Sequence, residues 1–317
     1  MTLAIQADDV RAAAERIRPL ARRTPVLTSA DFDEQARVRV FFKCENLQRG
    51  GAFKIRGASN MILALPNEAL ARGIVTYSSG NHAQAVAIAS RHVGAKATIV
   101  MPEDAPRSKM EATRSRGAYI VTYNRFTESR EALAAGILKE SGATLVPPFD
   151  HPMIMAGQGT AAMELLEETG PLDALITPAG GGGLLSGSAT IGKAIYPEMR
   201  VFGAEPAGAN DTFLSLEKGE RVTVAHPNTI ADGLRSPQPG KLTFPVMQQL
   251  VEKILLVTDD EIRAAVKFLL LHLKILAEPS GAVSVAAVLF HKLPAEIKTI
   301  GVVISGGNVD FEELAKY

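Results

Sequence analysis

Four consecutive glycines, Gly180 to Gly183, follow the apolar run Ala174–Pro178 and open a segment with helical spacing. Without Cβ atoms the backbone can turn its N–H groups inward, and the partial positive charge of a helix start adds to them. The result is an anion cradle suited to a phosphate monoester. The Gly-Lys-Ser/Thr ending of a P-loop is missing, as is the glycine spacing of a dinucleotide fingerprint with its downstream acid. A plain tight turn from strand to helix would use the same residues. Lys54 stands behind Gly50-Gly51-Ala52-Phe53 at an expected helix start. Positive charge is disfavoured at that end of a helix, which helps lower the pKa of the amine. An amine that can lose its proton can condense with an aldehyde. Taken alone, Lys54 also fits a solvated surface lysine. Combined with the cradle, it suits a cofactor that carries both an aldehyde and a phosphate.

Ser78-Ser79-Gly80-Asn81-His82 brings hydroxyls, amides and an asparagine to another helix start. Such a set could hold a carboxylate. N-capping by Ser79 accounts for the loop as well, and the two uses are compatible. His82 reads as structural. The other histidines (His92, His151, His226, His272, His291) show no metal-ligand spacing.

These loops need strands and helices to position them. Gly73–Ser78, Ala97–Met101, Ala118–Thr122 and Thr144–Val146 read as strands, separated by helices at Asn81–His92, Arg107–Arg116 and Thr127 to about Ser141. A second block repeats the alternation: strand Ala174–Pro178, helix Leu184–Ile195, strand Arg200–Glu205 and, at the end, strand Thr299–Ser305. Alternation of this kind predicts an α/β fold of mostly parallel, twisted sheets flanked by helices. The Pro147-Pro148 pair and a turn at Gly157-Gln158-Gly159 divide the blocks. Ligands of such sheets collect at the carboxyl ends of the strands. The loops at Arg49–Lys54 (after the strand Val38–Lys43), Ser78–Asn81, Gly180–Gly183 and Ser305–Asn308 all leave such ends, which points to one site.

Composition sets the outer bounds. The chain has 317 residues, 46% hydrophobic and 21% charged, as expected of an ordinary folded protein. Lys and Arg equal Asp and Glu at 34 each, so no net charge draws the chain to nucleic acid or anionic membrane. Its single cysteine, Cys44, fits a reducing compartment. The N-terminus carries early acids and lacks the apolar core of a signal peptide. No run approaches the ~20 apolar residues of a membrane span. The run near Phe268 to Leu271, broken by His272 and Lys274, reads as a buried helix. The expected location is the cytoplasm.

Five runs occur in order: Phe53-Lys54-Ile55-Arg56-Gly57-Ala58, the Ser78–His82 loop, the four glycines, Ala277-Glu278-Pro279-Ser280-Gly281-Ala282, and Ser305-Gly306-Gly307-Asn308. Together they resemble the fold-type II pyridoxal-phosphate enzymes of tryptophan synthase β-like fold. Within that group the likeness is to serine/threonine dehydratases, threo-3-hydroxyaspartate dehydratases and serine racemase, and it spans nearly the whole chain. It implies a large cofactor-binding domain (1–55 and 148–317), a small mobile domain (56–147), and a homodimer.

The resemblance also implies roles. Lys54 would bind pyridoxal 5′-phosphate covalently, Phe53 would pack beside its ring, and Asn81 would bond the ring hydroxyl. Gly180, Gly181, Gly182 and Gly183 would hold the phosphate. Ser305 would face the pyridine nitrogen, while Gly233 and Glu278 would lie close to the ring. Ser78, Ser79, Gly80, Asn81 and His82 would bind the substrate carboxylate, with Arg130 on the substrate side. Arg130 or Arg56 could serve a second carboxylate. Glu205, Ala209 and Asp211 resemble a site for Mg²⁺, or for Ca²⁺ or Mn²⁺, although Asn210 stands where relatives often have Asp. A strand end followed by a helix cap explains the same run. Gln84, Lys109, Lys274 and Asn308 overlap with positions that bind ATP in mammalian serine racemase; nucleotide regulation is not expected. An amino-acid-sensing extension after the catalytic unit is not expected.

The implied reaction is β-elimination from a small β-hydroxy amino acid, giving a 2-keto acid and ammonia. Lys54, once displaced, would act as base at Cα. A serine at the pyridine nitrogen leaves a mild electron sink, which favours prompt loss of the β-group. Ser79 on the opposite face would permit racemisation. β-Replacement enzymes tend to carry Thr-Gly after Ser-Gly-Asn; here His82-Ala83 follows. A non-enzymatic phosphate-binding module is the other rival, and it predicts a colourless protein.

Overall fold

The computed structural model describes residues 3–105 and 107–317. Its strands are β1 (Val26–Leu27), β2 (Arg39–Cys44), β3 (Ile74–Tyr77), β4 (Ala97–Pro102), β5 (Tyr119–Tyr123), β6 (Thr144–Leu145), β7 (Ala174–Pro178), β8 (Arg200–Pro206), β9 (Lys253–Val257) and β10 (Thr299–Ile304). One sheet has six strands in the order β1-β2-β10-β7-β8-β9, the other four in the order β5-β4-β3-β6. Only β1 against β2 is antiparallel; elsewhere the pairing is parallel, as where Val302 of β10 lies opposite Phe42 of β2 and Ile176 of β7.

The central strands are apolar without alternation because helices cover both faces. On one face of the larger sheet Phe42, Ile176 and Val302 pack with Val266 and Val283 from the helices Asp259–Phe268 and Pro279–Leu289. On the other, Leu175, Val201 and Ile254 meet Met155, Leu165 and Leu185. In the smaller sheet Ile99 and Met101 pack on Ala83 and Ala87, while Val75 and Val100 pack on Ala134. Between the sheets lies a third cluster, in which Ile55, Ile62, Val86 and Ile154 join the helices Lys54–Ile62, Asn81–His92 and Pro152–Thr169.

Two expectations from the sequence are corrected here. Gly157-Gln158-Gly159 is not a turn but the interior of the helix Pro152–Thr169. The glycines serve close packing: a Cβ on Gly157 would stand 2.6 Å from Gly57 Cα, and one on Gly159 2.6 Å from Gly187 O. The run after Phe268 is not a buried helix either. The α-helix widens into a π-helical turn, Leu269–Leu273, which ends at Lys274 with φ 59°. Leu269 is buried, but Leu270 and Leu271 are exposed. Among the described residues no helix is long and apolar enough to cross a membrane.

Candidate active site

The four glycine-bearing loops leave the carboxyl ends of β2, β3, β7 and β10. Backbone bonds stitch two of them together: Phe53 N–H donates to Ser305 O at 3.0 Å and Gly307 N–H to Gly51 O at 2.9 Å. Lys54 is the first residue of its helix. Its Nζ donates to Pro148 O at 2.8 Å and lies 5.1 Å from the centroid of the Phe53 ring. The residue as a whole is only half-buried, yet its ammonium is desolvated enough to bring the pKa down to about 8.

In the tetraglycine loop the carbonyls are engaged on the outside. Gly181 O accepts from Thr243 Oγ1 at 2.7 Å and Gly240 N–H at 3.2 Å; Gly180 O accepts from Thr212 Oγ1 at 3.3 Å. Gly182 sits at φ +89°, a conformation that favours glycine, and the helix Gly183–Ile195 starts there. That leaves the amides of a 13-residue helix start for an anion. Asp150 braces the outer side, accepting from Lys241 N–H and Leu242 N–H at 2.8 Å each. Its neighbour Phe149 packs so closely that a Cβ on Gly181 would lie 2.3 Å from the ring. Neither Asp150 nor Phe149 carries a local sequence signal; each becomes legible only once the chain has crossed between the sheets.

Asn81 Nδ2 donates to Glu278 Oε1 at 2.6 Å, and Asn81 Oδ1 accepts from Asn308 Nδ2 at 2.9 Å. Burial first, then Asp232, pushes the Glu278 carboxyl up to about 8. Ser280 Oγ accepts from Gly233 N–H at 2.9 Å, and Ser280 O receives a long bond, 3.4 Å, from Ser305 Oγ. The loops therefore form one contiguous cluster that includes Phe53, Lys54, Asn81, Gly180 to Gly183, Gly233, Glu278 and Ser305.

The other expected residues divide. The N-cap of the helix after β3 is Gly80, not Ser79, so Ser79 is not the cap that the sequence suggested. Ser78 Oγ accepts from Gly80 N–H at 3.2 Å and rigidifies the loop. The His82 ring turns away into the protein, its Nε2 3.0 Å from Val146 O. Burial, then the charge of Lys54, lowers its pKa to about 3, so it stays neutral. The Arg130 guanidinium lies 5.2 Å from the centroid of the Tyr77 ring, beside the Ser78 loop, and pairs with Glu131 at 2.8 Å. Arg56 is withdrawn as a substrate ligand. It is wholly buried and bonds Glu45 and Glu164 at 2.7 Å each, leaving no free donor face. Of the four positions shared with a nucleotide site, Gln84 is buried, Asn308 bonds Asn81 and Gly50 O, Lys109 pairs with Asp232, and Lys274 ends the π-helical turn.

Glu205 is the last residue but one of β8, and Asp211 opens the helix Asp211–Lys218. Glu205 accepts from Thr212 N–H at 3.1 Å and Phe213 N–H at 2.8 Å, whereas both Asp211 carboxylate oxygens are buried without a partner. Burial, then Asp211, holds Glu205 well above the usual carboxylate range; burial lifts Asp211 to about 7. Among the described residues no group of three or more His, Cys, Asp or Glu gathers for a metal; Glu205 and Asp211 are a pair, with Ala209 buried nearby in sequence. Thr212 joins this pair to the tetraglycine loop through Gly180 O.

The chain matches the pyridoxal-phosphate dependent enzyme family over residues 17–306. It is 46% identical over 310 residues to the serine racemase of Schizosaccharomyces pombe, covering 98% of this chain and 96% of that protein. It is 45% identical over 307 residues to the L-threo-3-hydroxyaspartate ammonia-lyase of Saccharomyces cerevisiae, covering 97% and 94%. The solved structure of maize serine racemase superposes with a TM-score of 0.95 at 44% identity, covering 99% of this chain and 96% of that one. A lysine with a lowered pKa, a phosphate-sized cradle of glycine amides and these likenesses agree, and the chain belongs to the pyridoxal-phosphate dependent enzymes.

Proposed function

We propose that the enzyme eliminates the hydroxyl and then ammonia from small β-hydroxy amino acids (L-serine, L-threonine or L-threo-3-hydroxyaspartate), releasing a 2-keto acid. Serine racemisation is the second reading. The observation that carries the first is the amine of Lys54, desolvated and held among the glycine loops. The likeness to a hydroxyaspartate ammonia-lyase supports it. When bound, pyridoxal 5′-phosphate withdraws electrons from the amino acid and so acidifies its Cα–H. Lys54 anchors the cofactor and, once displaced by the amino acid, takes the Cα proton on Nζ. Gly180 to Gly183 hold the phosphate, Asn81 fixes the ring edge under the control of Glu278 and Asn308, and Phe53 walls one side of the ring. Gly233 supplies a wall without a side chain. Ser305 would offer the ring nitrogen a hydroxyl, a weaker proton donor than a carboxylic acid. The Ser78 to His82 loop takes the substrate carboxylate through hydroxyls and amides, the neutral His82 ring bracing it from behind. Arg130, beside this loop, serves the β-substituent.

Ser79 favours the second reading, because it is not the helix cap and stands in the substrate loop. From the face opposite Lys54 its hydroxyl returns a proton to Cα. A hard divalent cation, Mg²⁺ or in its stead Ca²⁺ or Mn²⁺, fits Glu205, Asp211 and the Ala209 carbonyl, since it would answer the two unpartnered Asp211 oxygens. Its part there is structural, bracing the Thr212 end of the tetraglycine loop. The domain comprising 56–147 closes over the substrate against 1–55 and 148–317. We place the enzyme in the cytoplasm as a homodimer, the former on the buried, unpaired Cys44 thiol and the latter on the family resemblance.

The test is keto-acid release from L- and D-serine, L-threonine and both 3-hydroxyaspartate diastereomers, with and without Mg²⁺, with chiral analysis of residual serine. The expected result is keto acid from at least one of these, abolished in Lys54→Ala. Ser79→Ala should keep elimination from the L-substrate and lose racemisation. No keto acid from any substrate would overturn the first reading, and equal loss of both activities in Ser79→Ala the second.

A further inference from the structure

The helix Arg107–Ser115 flanks the four-stranded sheet, and the turn Asp232–Leu234 lies on the side of the six-stranded one. Lys109 Nζ reaches across to Asp232 Oδ2 at 2.5 Å. Apart from the buried pairs of Arg56 with Glu45 and Glu164, no other ion pair among the described residues joins 56–147 to the rest of the chain. Its far end is next to the site. Gly233, adjoining Asp232, donates its N–H to Ser280 Oγ at 2.9 Å, and Ser280 O in turn receives Ser305 Oγ. Gly233 O would lie 3.7 Å from a Cβ on Gly180, so the same turn also borders the tetraglycine loop. Whatever fixes Asp232 therefore fixes a wall shared by the expected phosphate and ring-nitrogen sites.

We propose that Lys109 and Asp232 are a positioning pair whose contact forms as the smaller sheet closes on the amino acid, locking the 232–234 turn against the cofactor cleft. This rests on the reading of the cleft as an amino acid site. Both side chains keep access to water, with relative exposures of 22% and 45%. Such a pair is weak, which suits a contact that must break in every turnover. Lys109 faces Asp232, Glu278 and Asp310; against the cost of its own partial burial, these acids hold it protonated, so the contact persists through the neutral range.

Alanine lacks a β-leaving group, so its binding to the holoenzyme can be followed by cofactor absorbance without elimination. Lys109→Met and Asp232→Asn are each expected to weaken alanine binding about twofold to fivefold. Wild-type affinity should fall between about 0.02 M and about 0.5 M salt, and the Lys109→Met affinity should not. Lys109→Asp combined with Asp232→Lys should recover the alanine affinity that either reversal alone loses, whereas a merely structural role would move the urea midpoint and leave alanine affinity unchanged. Unchanged affinity and salt dependence in Lys109→Met, or a double reversal no better than the single ones, would overturn the pair. A coloured wild-type protein with no spectral response to alanine would overturn the amino acid reading beneath it; a response in wild type with no effect of the variants would sink the pair alone.

Discussion

Lys54 and Arg56 sit two residues apart on one helix and show how surroundings set a cation's use. Arg56 is enclosed by Glu45 and Glu164, so its charge is permanent and its donors are occupied. Lys54 has a carbonyl for a partner and no carboxylate, and desolvation brings its pKa from 10.5 to about 8. Below that value the amine is protonated and a poor nucleophile. The rate at which apoprotein captures pyridoxal phosphate should thus rise close to tenfold per pH unit below about pH 8 and level off above it. Stability carries the matching sign. Between about 8 and 10.5 the unfolded chain binds more protons than the folded one, so apoprotein stability rises with pH across that window; below about 8 the cost of burying the charge is fully present. Stopped-flow absorbance measures the first effect and urea unfolding at two pH values the second. A capture rate still rising close to tenfold per pH unit from about pH 8 to 10, with no levelling near 8, would show that the Lys54 ammonium is solvated after all.

At the scale of elements, the helices behind Lys54 meet almost backbone to backbone. A Cβ on Gly187 would stand 2.1 Å from Met155 O, and one on Gly57 2.8 Å from Ile154 O. Backbone cannot step aside as a side chain can, so Gly187→Ala should destabilise by about 2 kcal/mol or more. Gly136, in the exposed helix Arg130–Ser141, has nothing within 4 Å of its Cβ position. There Gly136→Ala should stabilise by about 0.5–1 kcal/mol through helix propensity and a less flexible unfolded chain. Urea melts of both variants give the comparison; a Gly187→Ala protein as stable as Gly136→Ala would refute the close crossing. The same glycines mark the limit of sequence reading. The central strands β7 and β10 were legible because burial on both faces leaves a nearly unbroken apolar run. The helix Pro152–Thr169 was not, because Gly157 and Gly159, which usually punctuate a chain, here let it pack against two other helices. Long-range partners were equally silent. Nothing near Arg56 in sequence announces Glu164, 108 residues away, and the local run alone made Arg56 look like a substrate ligand. The position of the loops Gly180–Gly183 and Ser78–Asn81, each between a strand end and a helix start, was legible from glycine and serine following an apolar run.

At the scale of the whole molecule, the candidate site draws on both sheets. Lys54, the tetraglycine loop and Ser305 adjoin the six-stranded sheet, whereas Ser78 to His82 and Lys109 belong to the four-stranded one. Cofactor and amino acid should therefore be felt by different parts of the chain. On the proposed reading, cofactor alone would touch the loops after β2, β7 and β10 and the edge of Asn81. The amino acid carboxylate would be held by the loop after β3, and closure of the smaller sheet would follow. Amide hydrogen exchange separates the two events, because protection reports the free energy of local opening. A ligand at 100 times its dissociation constant can slow exchange up to about 100-fold in the amides it holds closed. Adding pyridoxal phosphate to apoprotein should slow amides at the start of the Gly183–Ile195 helix and in 305–308. Alanine added to the holoenzyme should then slow 78–83 and the first turns of the Asn81–His92 and Arg107–Ser115 helices. In Lys109→Met the last of these should lose most of its alanine-dependent protection while 78–83 retains it, since the carboxylate contact does not need the ion pair. Should alanine protect only the six-stranded side, the smaller sheet takes no part in binding, and the substrate would have to be held by the cofactor and the loops of the larger sheet alone.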